Sequence, residues 1–176
     1  MRRTVLMLFI VAGPAVAQQP MASTSSNVAV STAQAVWMVP RNFVVRALAQ
    51  VPDSLLAFKP TPEVRSLGQL FAHIADGEHL FCSLGLGESA PNPFDVTEKT
   101  KTTKAELRRA LEESKAHCDK AYAQTDAAAQ TPAEFFGQKA NRLWLLNMNA
   151  AHDYEHYGNI VTYMRLKGLT PPSSQQ

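Results

Sequence analysis

Two capping boxes commit the middle of this chain to helices. Ser66 with Gln69, and Thr103 with Glu106, each place a hydroxyl and an amide or carboxylate where they satisfy the free N–H groups of a helix start. Behind the first, Leu67, Leu70, Phe71 and Ile74 repeat at helical spacing toward Cys82. Behind the second, Leu107, Ala110, Leu111, Ser114, Cys118 and Ala121 or Tyr122 form an apolar stripe opposite a charged face of Arg108, Arg109, Glu112 and Lys115. Asn141 can cap a last helix through Leu143, Leu146, Ala150, Tyr157, Ile160, Val161 and Met164, stopped by Gly168 and Pro171-Pro172. A first helix is expected over Thr32 to Gln50, with Val36, Trp37, Val44, Val45 and Leu48 as its apolar positions and Pro40 kinking or restarting it. No strand pattern, internal repeat or heptad competes. The stretch from Gly85 to Lys101, with Gly87, Pro91 and Pro93, is too long for a tight turn between neighbouring helices and suits a crossover. The expectation is an all-α four-helix bundle with a long crossover between helices 2 and 3.

The ends of the chain read differently. Arg2 and Arg3, the apolar run from Val5 to Ala12 and the small residues Ala15 and Ala17 have the form of a signal peptide over residues 1–17. Gly13-Pro14 interrupts the run before it reaches the roughly 20 residues of a membrane span. Residues 18–30 are mostly small and polar and read as a flexible leader, residues 31–172 as the bundle, and residues 173–176 as a tail. Cleavage would remove two arginines and no acid from a chain with 17 Lys and Arg against 15 Asp and Glu, leaving the two signs equal. A neutral domain without a basic face excludes nucleic acid as a partner, and no later segment is apolar enough to span a bilayer. The expected location is secreted or periplasmic. There Cys82 and Cys118 are free to form a disulfide, although two buried thiols would look the same in sequence.

His152 and His156 lie four residues apart on the last helix, so both imidazoles leave it on one face at metal-ligand spacing. A third ligand must come from another element, and His73 on helix 2 is the best donor. Leu145, Asn149, His152, His156, Asn159 and Tyr163 form a strip that is polar through its middle, which a bundle core tolerates only if partners are found. A metal ion is one such partner; hydrogen-bonded core histidines or surface histidines fit the spacing equally. The position after the first histidine holds Asp153 where a zincin carries glutamate, which argues against that protease chemistry. Asp153 and Glu155, each about 100° around the helix from the adjacent histidine, suit orientation of the histidines or solvent exposure better than direct ligation, and a solvated face is the favoured reading for each. His79, about 240° around the helix from His73, and His117 beside Cys118 share no face with the trio. Trp37, Arg41, Tyr154 and Tyr157 are read as core residues or as the wall of a pocket.

Pro60-Thr61-Pro62-Glu63-Val64-Arg65-Ser66 leading into Leu67-Gly68-Gln69-Leu70-Phe71-Ala72-His73, with the closing His152-Asp153-Tyr154-Glu155-His156-Tyr157-Gly158-Asn159, resembles the DinB-like superfamily of metal-binding helical bundles over residues 31–172. The resemblance implies up-down-down-up topology and a divalent ion held by His73, His152 and His156. It also implies relatives among thiol-dependent S-transferases and isomerases, and homodimerisation. Zinc suits three nitrogens, and nickel, iron and copper also accept imidazole, so the sequence does not name the metal; zinc or nickel is expected, with at least one position left for water or substrate. The resulting expectation is an exported metal-dependent hydrolase or transferase acting on a small molecule, with a non-catalytic metal or small-ligand binding bundle as the alternative. No catalytic residue is named by the sequence. Histidine ligation predicts that protons compete with the ion near about pH 6.

Overall fold

The computed structural model describes residues 27–175; the expected signal peptide and residues 18–26 of the leader lie outside them. Four long helices dominate: α1 (Val28–Gln50), α2 (Leu67–Leu86), α4 (Lys104–Ala121) and α6 (Arg142–Leu166). Two short helices, α3 (Val96–Thr100) and α5 (Asp126–Ala129), lie in the connections. α6 packs against both α1 and α2, and α2 packs against α4. No helix among the described residues is long and apolar enough to cross a membrane.

Both capping boxes form as expected, with Gln69 N–H donating to Ser66 and Glu106 N–H to Thr103, and Asn141 Oδ1 accepts from Trp144 N–H at the start of α6. α1 lacks a cap from its own residues. Asp126 of α5 supplies one, its two carboxylate oxygens accepting from Ala29 N–H and Val30 N–H at 3.1 and 3.0 Å. That remote carboxylate explains why α1 begins at Val28, inside the stretch expected to be leader. Pro40 neither kinks the helix into two nor restarts it. Trp37 on one side of it and Val44 on the other are fully buried, and that packing outweighs the lost hydrogen bond. Val36 and Val45, expected in the core, are instead exposed, because the buried stripe of α1 runs through Ala33, Trp37, Arg41, Val44 and Leu48.

The connection between α4 and α6 holds what the sequence hid. Pro132–Phe135 (β1) and Gln138–Asn141 (β2) pair antiparallel, Pro132 opposite Asn141, around a two-residue turn of Phe136 and Gly137. Both turn residues have positive φ, 48° and 79°, the form that matches the twist of a hairpin. Phe-Gly lacks the Asn-Gly signature and the strands are too short for alternation to register, so no strand was legible. The hairpin ends on Asn141 and so delivers the chain directly into the cap of α6. Residues 173–175, expected as a tail, fold back: Ser173 N–H donates to the Tyr157 hydroxyl at 3.0 Å.

The buried side chains form two apolar clusters. One contains Val44, Leu48, Leu67, Phe71, Leu107, Leu111, Ile160 and Met164; the other contains Val30, Trp37, Cys82, Cys118, Tyr122 and Leu146. Along α1 and α6 the chain runs from the second cluster into the first, and along α2 and α4 it runs the opposite way. Between the clusters all four long helices contribute buried polar residues, among them Arg41, Glu78, Ser114 and Asp153.

Cys82 and Cys118 form a disulfide that joins α2 to α4 inside the second cluster. The bridge closes a separation of 36 residues. Chain entropy alone then gives about 4 kcal/mol of stabilisation. The Cys82→Ala/Cys118→Ala variant is expected to lose most of that amount in urea denaturation, with an unchanged helical circular dichroism spectrum in the absence of denaturant.

Candidate metal centre

His152 and His156 project from successive turns of α6 toward α2, where His73 meets them. The ring centroids lie 5.1 Å (His73 to His152), 4.6 Å (His73 to His156) and 4.4 Å (His152 to His156) apart. One ligand atom from each falls within 4.8 Å of the other two, so the group could hold a metal ion. It is the one such group of His, Cys, Asp or Glu among the described residues. The three histidines singled out in the sequence are thus brought together.

What surrounds the rings decides which nitrogens face inward. His73 Nδ1–H donates to Glu98 Oε2 at 2.9 Å, which leaves Nε2 as a bare acceptor. That Nε2 lies 3.3 Å from His152 Nε2. Two nitrogens at tetrahedral positions on zinc stand about 3.3 Å apart, so the spacing fits one ion between them. Asn159 Nδ2 lies 3.4 Å from His156 Nδ1; with that amide turned so that Oδ1 takes its place, it accepts the Nδ1 proton and leaves Nε2 bare for the centre.

Burial holds all three rings neutral, as ligation requires. Desolvation pushes His152 down to about 4; it does the same to His156, where the neighbouring His152 and His73 add to the effect. His73 is lowered by desolvation first and then by the Arg65 and His152 charges, against the opposing pull of Glu98. Proton competition near pH 6, expected from ordinary imidazoles, therefore moves to more acid values.

Glu98 was not legible in the sequence. It sits in α3, within the connection expected to be a plain crossover, and reaches His73 because Asp76 anchors that short helix. The Asp76 carboxylate on α2 accepts from Thr97 N–H at 3.0 Å and Glu98 N–H at 2.8 Å. Glu98 Oε1 in turn accepts from Arg65 Nε at 2.8 Å. Gly77 was also passed over, although a glycine inside a helix costs about 1 kcal/mol against alanine and asks for a reason. Here the reason is His152. A methyl group at position 77 would fall on that ring, 2.7 Å from Nδ1 and 3.0 Å from Nε2. Phe81, one turn further along α2, packs edge-on against His152 at 5.5 Å and is backed by Phe135 of β1 at 5.3 Å.

Asp153 corrects an expectation. It is completely buried, not solvated, because the α6 face it occupies lies against α1 and α2. Glu155 is exposed as expected. Trp37 and Arg41 are buried core residues, Tyr157 is buried beneath the returning C-terminal segment, and Tyr154 is exposed. His79 and His117 pair with each other at 5.2 Å, and the Ser83 hydroxyl lies 2.9 Å from His117 Nε2, so neither joins the trio. Beside His156 opens a cleft of about 590 Å³ whose lining includes Lys59, Glu63, Arg65, Glu98, Glu155 and Asn159.

The sequence matches the family model of the DinB superfamily over residues 41–160. The chain belongs to the DinB superfamily. A DinB-like protein of Bacillus cereus is 20% identical, with a TM-score of 0.70 over 81% of this chain and 95% of its own. A DinB-like protein of Bacillus subtilis is 21% identical, with a TM-score of 0.66 over 82% of this chain and 98% of its own. A mycothiol-dependent maleylpyruvate isomerase is 19% identical, with a TM-score of 0.64 over 74% of this chain and 60% of its own. At these identities the likeness is one of fold. No curated protein matches the sequence.

Two outcomes follow from the geometry. Gly77→Ala is expected to displace the His152 ring and weaken zinc binding about tenfold or more in a competitive titration, with the helix content retained. In the metal-free protein, the ring-proton NMR signals of His152 and His156 are expected to titrate near pH 4 and not near 6.5. As pH falls from about 6.5 to 4 the unfolded chain takes up these two protons first, so both histidines withdraw stability across that window.

Proposed function

We propose that this DinB protein is an exported metal-dependent hydrolase or transferase in which His73, His152 and His156 hold one divalent transition metal ion, zinc or nickel. The observation that carries the reading is the convergence of three neutral imidazoles beside an open, charged cleft. The ion, when bound, supplies Lewis-acid chemistry, polarising a substrate oxygen or sulfur or acidifying a water. The protein's own residues divide the remaining work. Arg65, its Nε fixed by Glu98, offers the rest of its guanidinium to an anionic group of a small substrate in the cleft. Glu155, exposed on the cleft wall and close enough to influence both helix-α6 histidines, is the carboxylate placed to take up or return a proton. Glu98 is engaged by two partners and Asp153 is buried, so neither is placed for that role. Because no base is fixed by a hydrogen bond beside the trio, a metal or small-ligand binding bundle without turnover is the second reading.

The course of the long helices through the two apolar clusters, α1 and α6 one way and α2 and α4 the other, supports an up-down-down-up four-helix bundle. The Cys82–Cys118 disulfide supports residence in an oxidising compartment, secreted or periplasmic, and agrees with signal cleavage after Ala17. A cytosolic thiol cosubstrate does not suit that location.

Elemental analysis of untagged protein, isolated after export, is expected to give about one equivalent of zinc or nickel in a chain whose intact mass begins at Gln18. The equivalent is expected to be lost in His152→Ala. Wild-type protein without metal would sink the assignment. Among candidate ester and thiol-transfer substrates, Glu155→Gln should lower kcat at least a hundredfold with metal content unchanged. Metal without turnover on any of them selects the binding reading.

A further inference from the structure

Of the three ring nitrogens that point away from the centre, two have a partner and one does not. His73 Nδ1 has Glu98 and His156 Nδ1 has Asn159, whereas His152 Nδ1 is buried with no hydrogen-bond partner. A second orphan lies beside it. Asp153 Oδ1 is also buried and unpartnered, and it stands 3.7 Å from His152 Nδ1. A donor and an acceptor that each lack a partner at that separation are a hydrogen bond short of a few tenths of an ångström.

The rest of Asp153 is already held. Trp37 Nε1–H donates to Asp153 Oδ2 at 3.0 Å and to Glu78 Oε1 at 3.1 Å. The Ser114 hydroxyl donates to Glu78 Oε2, and the Arg41 guanidinium lies 3.6 Å from Glu78 Oε1 and donates to the Leu111 carbonyl. The carboxylate is thus gripped through one oxygen by residues of α1 and α2, with its other oxygen left beside the histidine.

We propose that Asp153 is a positioning residue for His152: its Oδ1 accepts the His152 Nδ1 proton, fixing the tautomer that presents Nε2 to the metal, and the buried Trp37–Glu78–Arg41–Ser114 network holds it there. The inference rests on the metal-binding reading above, since fixing Nε2 as the bare nitrogen has its use when an ion sits among the three rings. Asp153 touches neither ion nor substrate. It completes for His152 the outer contact that Glu98 makes for His73, with the difference that Glu98 comes from a surface helix and Asp153 from the core.

The test uses the whole mature protein. Nitrogen-15 NMR of the imidazoles in metal-free wild-type protein is expected to show His152 protonated on Nδ1. In Asp153→Asn the oxygen stays with the Trp37 N–H and the amide N–H₂ turns to the histidine, so the proton is expected on Nε2. Zinc affinity should then fall 10- to 100-fold. Trp37→Phe provides a second route should Asp153→Asn fail to fold, because it frees the carboxylate while keeping it, and a mixed tautomer is expected. A wild-type His152 protonated on Nε2, or a tautomer unmoved in both Asp153→Asn and Trp37→Phe, would overturn the proposal. Absence of zinc binding in the wild type would overturn the metal reading instead, and the tautomer would still decide whether Asp153 holds His152.

Discussion

One buried polar layer sets the register of this bundle. Arg41, Glu78, Ser114 and Asp153 come one from each long helix and meet between two apolar clusters, with Trp37 bridging the two carboxyl groups. Burial raises Glu78 well above the ordinary carboxyl range, and the neighbouring Asp153 raises it further; Asp153 itself is pushed up to about 7. Two carboxyl groups buried this close together both favour their neutral forms, and Arg41 beside them balances the charge that remains. A slip of any helix by one turn would take its polar residue out of the layer and away from its hydrogen-bond partners, at a cost of several kcal/mol where that residue is charged. Apolar packing alone tolerates such slips far better.

The histidine group depends on that register. His152 immediately precedes Asp153 on α6, and Gly77 immediately precedes Glu78 on α2, so the contacts that fix the layer also bring ring and glycine face to face. The same pairing sets opposite acid responses side by side. Lowered histidines lose stability as pH falls below about 6.5, while raised carboxyls gain it as pH falls below about 7. The two responses offset each other over mildly acidic pH.

The helices and the histidine pair were legible in the sequence because they rest on local rules. Ser66, Thr103 and Asn141 act on N–H groups three residues away, and His152 with His156 needs only helix geometry. What escaped notice depends on residues far apart in the chain. Asp126 caps a helix almost a hundred residues upstream, and Asp76 steers Glu98 onto His73 across a connection that reads as featureless. Asp153 reads as a solvated charge when its position about 100° from His152 is taken on one helix alone, but α1 and α2 close over it. The hairpin was missed for a different reason: Phe136 takes a left-handed conformation that its identity does not advertise, and four-residue strands carry too little periodicity to be seen.

The Cys82–Cys118 bridge lies one helical turn beyond Glu78 on α2 and one turn beyond Ser114 on α4. It therefore clamps these two helices where the polar layer needs them, and α6 is bound to α2 through the histidine face. α1 has no such tie. Its hold on the rest is Trp37, Arg41, the apolar stripe and the Asp126 cap, all reversible contacts. A local opening of α1 would expose the polar layer to water while the three histidines stay on α2 and α6, whose contact does not run through α1.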